Sequence, residues 1–596
     1  MEFASAGATA SSFPPRPLRE YALLADGERG ALVGPDGELA WMCAPRWDSD
    51  AFLSTLVGGD GVYAVTPRDR SVWAGHHEPG TLIWRSDWTT DRGGSVESRE
   101  ALACPAEPHR AVVLRRVRSR QVPAVVRVLL TPRAGFGAGT LTDVHRDAAG
   151  IWTARAGELR LRWTGAEGGR YLPDLAGWEL DLHLDPETSH HLVLEVSDTP
   201  LPTEPPDAGD LWRSTERAWA EAVPPLTDTI APRDARQAYA VLRGLTSATG
   251  GMVAAATTSL PERAEEGRNY DYRYVWIRDQ CYAGQALAAV GPSRLLADQT
   301  RFVVERVLEH GPRLSPAYTV TGGPVPRQRR LALRGYPGAD DRVGNHVRQQ
   351  FQLDAFGEVL LLLGAVARHR PLGEAERRAA DIAADAVAER WRDPDAGVWE
   401  LAPRFWTHSR LACVAGLRAV AGADTAHPHS ARWSQLADRL VTETSRRCLH
   451  PDGHWQRAPD DPRLDGALLL PAVRGALPPT DPRVVRTLRA YTRELTDDFY
   501  AYRFRHDRRP PGEAEGAFLL CGFFTALAEH QQGDLVTALR WFERNRAACG
   551  PGALYSEEYD VACRQLRGNL PQAFVHALML ECAVRLNTPP PTAPHG

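Results

Sequence analysis

The sequence predicts a multi-domain β + α chain, an N-terminal antiparallel β-sandwich followed by an (α/α)6 barrel. Three observations predict it. The 596 residues exceed one domain of ordinary size. Apolar residues alternate with a period of two before about residue 225, and beyond it they recur with the period of a helix.

In the first part, Leu159, Leu161 and Trp163 fall on one side of a strand and Arg160 and Arg162 on the other. Segment 178–185 repeats the pattern, with Trp178, Leu180, Leu182 and Leu184 set against Glu179, Asp181, His183 and Asp185. Stretches 110–118, 125–131 and 191–196 are also rich in Val and Leu, and Gly, Pro and Asp turns separate the runs. Short half-buried strands at such spacing make a sandwich. The proline-rich stretch 199–210 and a short helical piece, LWRSTERAWAEAV, then read as a linker. The division is 1–210 for the sandwich, 211–231 for the linker with its short helix, and 232–596 for the barrel.

Helices are expected near 233–247, 276–290, 293–310, 346–368, 374–391, 408–421, 430–447, 483–496, 515–530, 534–547 and 571–586. No fixed repeat length joins them, which argues against a solenoid. In a helical barrel the loops at one end surround a pocket, so aromatic and polar residues at helix starts are the ones to inspect.

Composition narrows the chemistry. Charged residues are 24% and hydrophobic ones 43% of the chain, with a net charge of −5. All 70 basic residues are arginine, which excludes Schiff-base and Walker-lysine mechanisms. Dispersed arginines in a mildly acidic chain give no case for nucleic acid, and no apolar run reaches 18 residues, so no membrane partner is expected. The N-terminal stretch has neither a basic nor an apolar leader region. The nine cysteines form no C-x-x-C pair, and Cys281, Cys413, Cys521 and Cys582 sit in apolar helical contexts as buried thiols. Scattered thiols favour a reducing cytoplasm. No metal or cofactor is expected, and His76–His77 and His190–His191 read as exposed pairs rather than ligands; a homo-oligomer is left open.

Four loop segments carry candidate chemistry. NYDYRYVWIRDQ (269–280) interleaves aromatics with Asp271, Arg273, Arg278 and Asp279, which suits the apolar faces and directional hydroxyls of a sugar or an ion-paired helix start. DPDAGVWE (393–400) sets an acid beside an indole, either a desolvated general acid or a solvated glutamate after a turn. LYSEEYD (554–560) offers a general base or two exposed acids. VGNHVRQQFQLDAFGEVL (343–360) places Arg348, Gln350, Gln352 and Asp354 for ligand contact or for tying helices together.

Taken together these segments resemble glycoside hydrolase family 15, the family of glucoamylases, glucodextranases and trehalases. The resemblance runs from YALLADGERGALVGPDGELAWMCAPRWDSD (21–50) through GMVAAATTSLPE (251–262), the WIRD segment, GNHVRQQFQLDAFGEVL and GVWE. It continues to LDGALLLPAV (464–473), EGAFLLCGFFTALAE (515–529), SEEYD (556–560) and GNLPQAF (568–574). It implies Glu400 as general acid and Glu557 as general base, with Glu558 the alternative for the base. It further implies that Arg278 and Asp279 grip the terminal glucosyl unit in a dead-ended pocket, that Tyr272 and Trp276 supply its aromatic walls, and that Trp399 flanks the acid. The implied reaction is exo-acting hydrolysis of an α-glucoside with inversion, of glucoamylase or trehalase type. The carboxyl groups would then stand about 6.5–9.5 Å apart. The sequence departs from the family at Ala40, Thr321, His346 and Gln349, and Ser409–Arg410 stand where Ser-Lys is usual. The changes at Thr321, His346 and Gln349 keep open a tailoring or non-hydrolytic enzyme on a specialised metabolite; a degenerate carbohydrate-binding protein and a phosphorylase are further alternatives.

Overall fold

The computed structural model describes residues 12–263, 267–506, 509–510 and 512–589. The residues before and after these, including the start of the segment read above for a leader and the last few of the predicted barrel domain, lie outside the described range.

Two antiparallel sheets occupy Ala22 to Ser197. One runs in the order 22–25, 30–33, 38–43, 63–67, 124–130, 177–184, 170–172, with 51–53 added beside 38–43. The other runs 141–146, 152–156, 159–164, 189–197, 110–120, 95–102, 84–90, 71–77. The period-two residues meet as predicted: Trp178, Leu180 and Leu182 pair with Leu130, Val128 and Val126, and Leu161 and Trp163 with Val196 and Leu194. Between the sheets, Trp163 stands 6.0 Å from Trp178 and its Nε1 donates to the Tyr63 hydroxyl at 3.2 Å. An indole buried with its N–H satisfied stitches the two layers at no polar cost.

Two expectations are corrected here. Arg162 faces outward in the strand but is buried, because Pro202 and Glu204 of the proline-rich stretch fold over it and accept from its guanidinium, which also forks onto Glu195. The stretch therefore covers the sandwich. Of the four paired histidines only His76 is exposed. His77 is packed on Trp84 and donates from Nε2 to Leu23 O at 2.9 Å, and burial lowers its pKa to about 4.

After helix α1 (Ala208–Ala222) come α2 (Pro232–Gly244), α3 (Ile277–Val290), α4 (Arg294–His310), α5 (Asp354–Ala367), α6 (Glu374–Arg390), α7 (Thr407–Ala423) and α8 (Ser430–Cys448). They are followed by α9 (Pro482–Glu494), α10 (Leu519–Gln531), α11 (Leu535–Arg546) and α12 (Ala573–Arg585). Helices α3, α5, α7, the short turn Leu470–Val473, α10 and α12 each touch the next, and α12 returns to α3, so they close an inner ring. From α2 onward the others alternate with these along the chain and pack outside, while α1 lies against the sandwich. The inner helices are apolar nearly all round; every residue of α5 but Ala367 is buried, as expected for helices covered on both sides. Their N-termini gather at one mouth, where unsatisfied backbone N–H groups favour negative charge.

The helix expected from 346 begins only at Asp354. Before it the chain makes only a 3-10 turn, Val347–Gln349, and leaves it at an extended Gln350; the neighbouring loop then holds the segment, the Asp395 carboxylate accepting from Leu353 N at 3.3 Å and Ala396 N donating to Phe351 O at 2.8 Å.

Candidate active site

The first wall of the mouth is built by strand-like alternation. Residues 254–259 run antiparallel to 270–274, with Ala255 N donating to Tyr272 O and Ser259 N to Tyr270 O, both at 2.9 Å. Tyr270 and Tyr272 consequently face the pocket, while Asp271 and Arg273 face the sandwich. Arg273 forks onto Asp271 at 2.9 and 2.8 Å, donates to Ser49 O at 2.6 Å and lies over the Trp41 indole. Trp41 Nε1 in turn donates to Ala256 O at 2.9 Å. The N-terminal segment 21–50 thus braces the aromatic wall from behind.

At the start of α3 the chain presents Trp276, Arg278 and Asp279 together. Arg278 binds Asp279 Oδ1 from Nε at 3.1 Å and Val398 O from Nη1 at 2.8 Å. Trp276 Nε1 donates to Glu400 Oε1 at 2.7 Å, and Arg278 Nη1 lies 3.6 Å from the same oxygen. Glu400 has a left-handed backbone, φ 56°, a conformation that costs a non-glycine residue about 1–3 kcal/mol and is tolerated where the surroundings over-determine it. The surroundings here are the Asp395 carboxylate, which accepts from Gly397 N at 3.1 Å and Ser409 Oγ at 2.7 Å and is paired with the fully buried Arg410. Ser409 and Arg410 therefore brace the acid turn. Arg410→Ala is expected to lower stability by about 3–5 kcal/mol, read as a drop in Tm, because it strands a buried Asp395. An unchanged Tm would remove this account of the turn.

The indole in contact with Glu400 is that of Trp276. Trp399 also lines the pocket, but its Nε1 donates to Asp465 Oδ1 at 2.6 Å, and Asp465 is held by Arg457 at 3.1 Å.

Opposite stands a three-stranded sheet, Ala517–Phe518 against the hairpin of Glu558–Asp560 and Gln565–Arg567. The Tyr272 hydroxyl lies 3.4 Å from Glu557 Oε2. Adjacent residues of a strand point to opposite faces, so Glu557 opens on the pocket while Glu558 turns inward, fully buried, accepting from Gly516 N at 2.8 Å. Burial and the neighbouring Glu262 carboxyl push the Glu557 pKa well up. Glu262, at the end of TTSLPE, was not singled out by its residue type; it joins Asp279, Glu400 and Glu557 as the fourth carboxyl lining the pocket.

The cavity these groups enclose holds about 320 Å³ and is lined also by Arg268, Gln328, His346, Gln350, Arg503 and His506. It brings together Tyr272, Trp276, Arg278, Asp279, Trp399, Glu400 and Glu557. Of the departures, only His346 reaches it. Ala40 is in the buried core beside the sandwich, and Thr321 is exposed and pairs with Thr319. Gln349 is exposed. Gln350 lines the pocket, whereas Gln352 is buried and bonds to Gln350. Asp354 is buried under Arg278, with its pKa raised to about 7 by desolvation and then by Asp395; it does not line the pocket. Outside the pocket, Asp381–His427–His429 and His450–Asp452–His454 gather side chains of metal-ligand type. In both groups a ring nitrogen is already engaged, His429 Nδ1 with Asp381 at 2.8 Å and His454 Nδ1 with Trp455 O at 2.9 Å. Among the described residues no helix is long and apolar enough to cross a membrane, and all nine cysteines are free.

Residues 235–584 match the family described as Glycosyl hydrolases family 15, and residues 11–156 match Trehalase-like, N-terminal. The chain is 29% identical to the trehalase of Mycobacterium tuberculosis over 98% of its length and 92% of the relative's. It is 28% identical to the trehalase of Mycolicibacterium smegmatis over 96% and 91% of the two chains. A solved bacterial glucoamylase complexed with acarbose shares the fold, with a TM-score of 0.72 at 14% identity over 98% of this chain and 96% of that one.

Proposed function

Because the chain belongs to the glycosyl hydrolases of family 15 and is an exo-acting hydrolase of glucosides, we propose that it splits α,α-trehalose with inversion, Glu400 acting as general acid and Glu557 as general base. The observation that carries the assignment is the placing of these two carboxyls in one pocket. Glu400 is hydrogen-bonded to Trp276 and Glu557 to Tyr272, and the two rings stand edge to face at 5.5 Å between them.

Glu400 protonates the departing glycosidic oxygen. A water between Glu557 and the anomeric carbon loses a proton to Glu557 as its oxygen attacks from the opposite face. Arg278 and Asp279, buried at the pocket floor, offer donors and an acceptor to the hydroxyls of the terminal glucosyl unit, and Tyr272 with the nearby carboxylates counters the positive charge that develops on the ring. Trehalose as substrate is supported by the trehalase relatives and by the polar rim of Arg268, Gln328, His346 and Gln350, which suits the hydroxyls of a second glucose. The nine free thiols support a cytoplasmic setting.

The test is product-anomer NMR on trehalose, maltose, isomaltose and soluble starch. Inverting cleavage of trehalose releases α- and β-glucose in equal initial amounts, since only one of the two anomeric carbons is attacked; maltose would instead yield new β-glucose from its non-reducing end. Turnover of starch but not trehalose would overturn the substrate assignment. Release of α-glucose alone would overturn inversion.

A further inference from the structure

Glu557 does not stand alone. Glu262 is buried beside it, and the two carboxyl groups face the same tyrosine hydroxyl. The Tyr272 hydroxyl bridges them, 3.3 Å from Glu262 Oε1 and 3.4 Å from Glu557 Oε2. Both side chains border Gly568, whose added Cβ would meet Glu262 Cγ at 3.6 Å and Glu557 Cβ at 3.7 Å. Two buried carboxylates around one hydroxyl cannot both be ionised without a penalty; the stable arrangement keeps one proton on the pair.

We propose that Glu262 is a positioning residue for the general base: it shares a proton with Glu557, fixes the direction of the oxygen that receives the proton of water, and sets the pH at which that oxygen becomes free. The inference rests on the reading of Glu557 given above.

Arg268, Tyr270 and Tyr272 come from the same wall as Glu262. Arg503 approaches from the loop before α10, 3.8 Å from Glu262 Oε2 and 3.7 Å from Glu558 Oε1. Arg503 is already forked onto Glu515 at 2.7 and 3.1 Å, and Glu515 is also paired with His506. Four carboxyls thus share two arginines, which leaves the pair short of positive charge and favours retention of one proton. In the reaction Glu557 takes a proton from water, the water oxygen bonds to the anomeric carbon, and the carbon–oxygen bond to the leaving group breaks as Glu400 gives up its proton. Solvent later returns a proton to Glu400 and removes one from Glu557.

Three variants of the full chain separate this from its premise. Glu557→Ala is expected to be inactive and to recover turnover with sodium azide, which bonds to the anomeric carbon in place of water and yields a glucosyl azide of inverted configuration. Glu262→Gln keeps a hydrogen-bond donor but removes the competing charge, so the acidic limb of kcat/KM against pH is expected to move down by about one unit or more. Glu262→Ala loses the hydrogen bond and is expected to lose kcat with little change in KM. An unmoved acidic limb in Glu262→Gln, with Glu557→Ala inactive, overturns the inference and leaves Glu557 as base. Azide rescue of Glu262→Ala but not of Glu557→Ala makes Glu262 the base and overturns both assignments. An active Glu557→Ala removes the premise and the inference with it. If Glu262→Gln does not fold, Glu262→Asp, which withdraws the carboxyl by one methylene, carries the same expected shift and the same overturning result.

Discussion

Glu400→Gln is expected to lose turnover by about 10²–10⁴-fold, the contribution of a well-placed general acid, with substrate affinity retained. The amide has the volume of the carboxyl, and its oxygen can still accept from Trp276 Nε1, the 2.7 Å bond that aims the side chain. The turn beneath it is held by Asp395, Ser409 and Arg410, none of which the substitution touches. What is lost is the proton. Isothermal titration of the variant with trehalose should therefore give a measurable Kd under conditions where no glucose is formed. Turnover near that of the wild type would end the assignment of Glu400. Loss of binding along with turnover would mean that the side chain holds substrate rather than protonating the leaving group.

The same turn shows which features a sequence discloses. The change of apolar period near residue 225 and the α-helical spacing beyond it are local properties of the chain, and both parts of the fold were legible from them. The catalytic candidates needed more. A glutamate beside a tryptophan is ambiguous by type, and the indole that contacts Glu400 comes from Trp276, 124 positions away. Resemblance across many segments supplied what local pattern did not. Missed altogether were groups whose role depends on long-range packing. Glu262 closes a plain apolar segment and acquires its meaning only when the hairpin at 557 folds over it. Arg162 is patterned as an exposed strand residue and is buried by a linker that has no periodicity to read. The late start of α5 has the same origin: bonds from the 393–400 loop to Phe351 O and Leu353 N tie down the segment before Asp354, a long-range constraint that the apolar spacing does not carry.

Arg278→Ala is the second substitution with a large expected effect, and it couples activity to stability through one carboxylate. The guanidinium donates to Asp279 Oδ1 and to Val398 O and approaches Glu400, so its removal unties the proposed glucosyl grip from the turn that carries Glu400; kcat/KM should fall, through both kcat and KM. Asp279 is left buried without its partner, a loss of about 3–5 kcal/mol at neutral pH. The sign of the pH dependence follows from the groups present. Desolvation already raises the Asp279 pKa, and Arg278 is the main group pulling it back. Without the arginine the folded pKa rises further above the unfolded one. The folded state then binds the proton more tightly than the unfolded state, so the penalty is absent below the ordinary carboxylate range, where Asp279 is neutral in both states. It grows as pH rises and is complete above the new folded pKa. The Tm gap between wild type and Arg278→Ala should accordingly narrow on acidification, and adding Asp279→Asn to Arg278→Ala should flatten it. A gap that is constant with pH would show that Asp279 is not the group left uncompensated, and an unchanged kcat/KM would place the Arg278–Asp279 pair outside the substrate's reach.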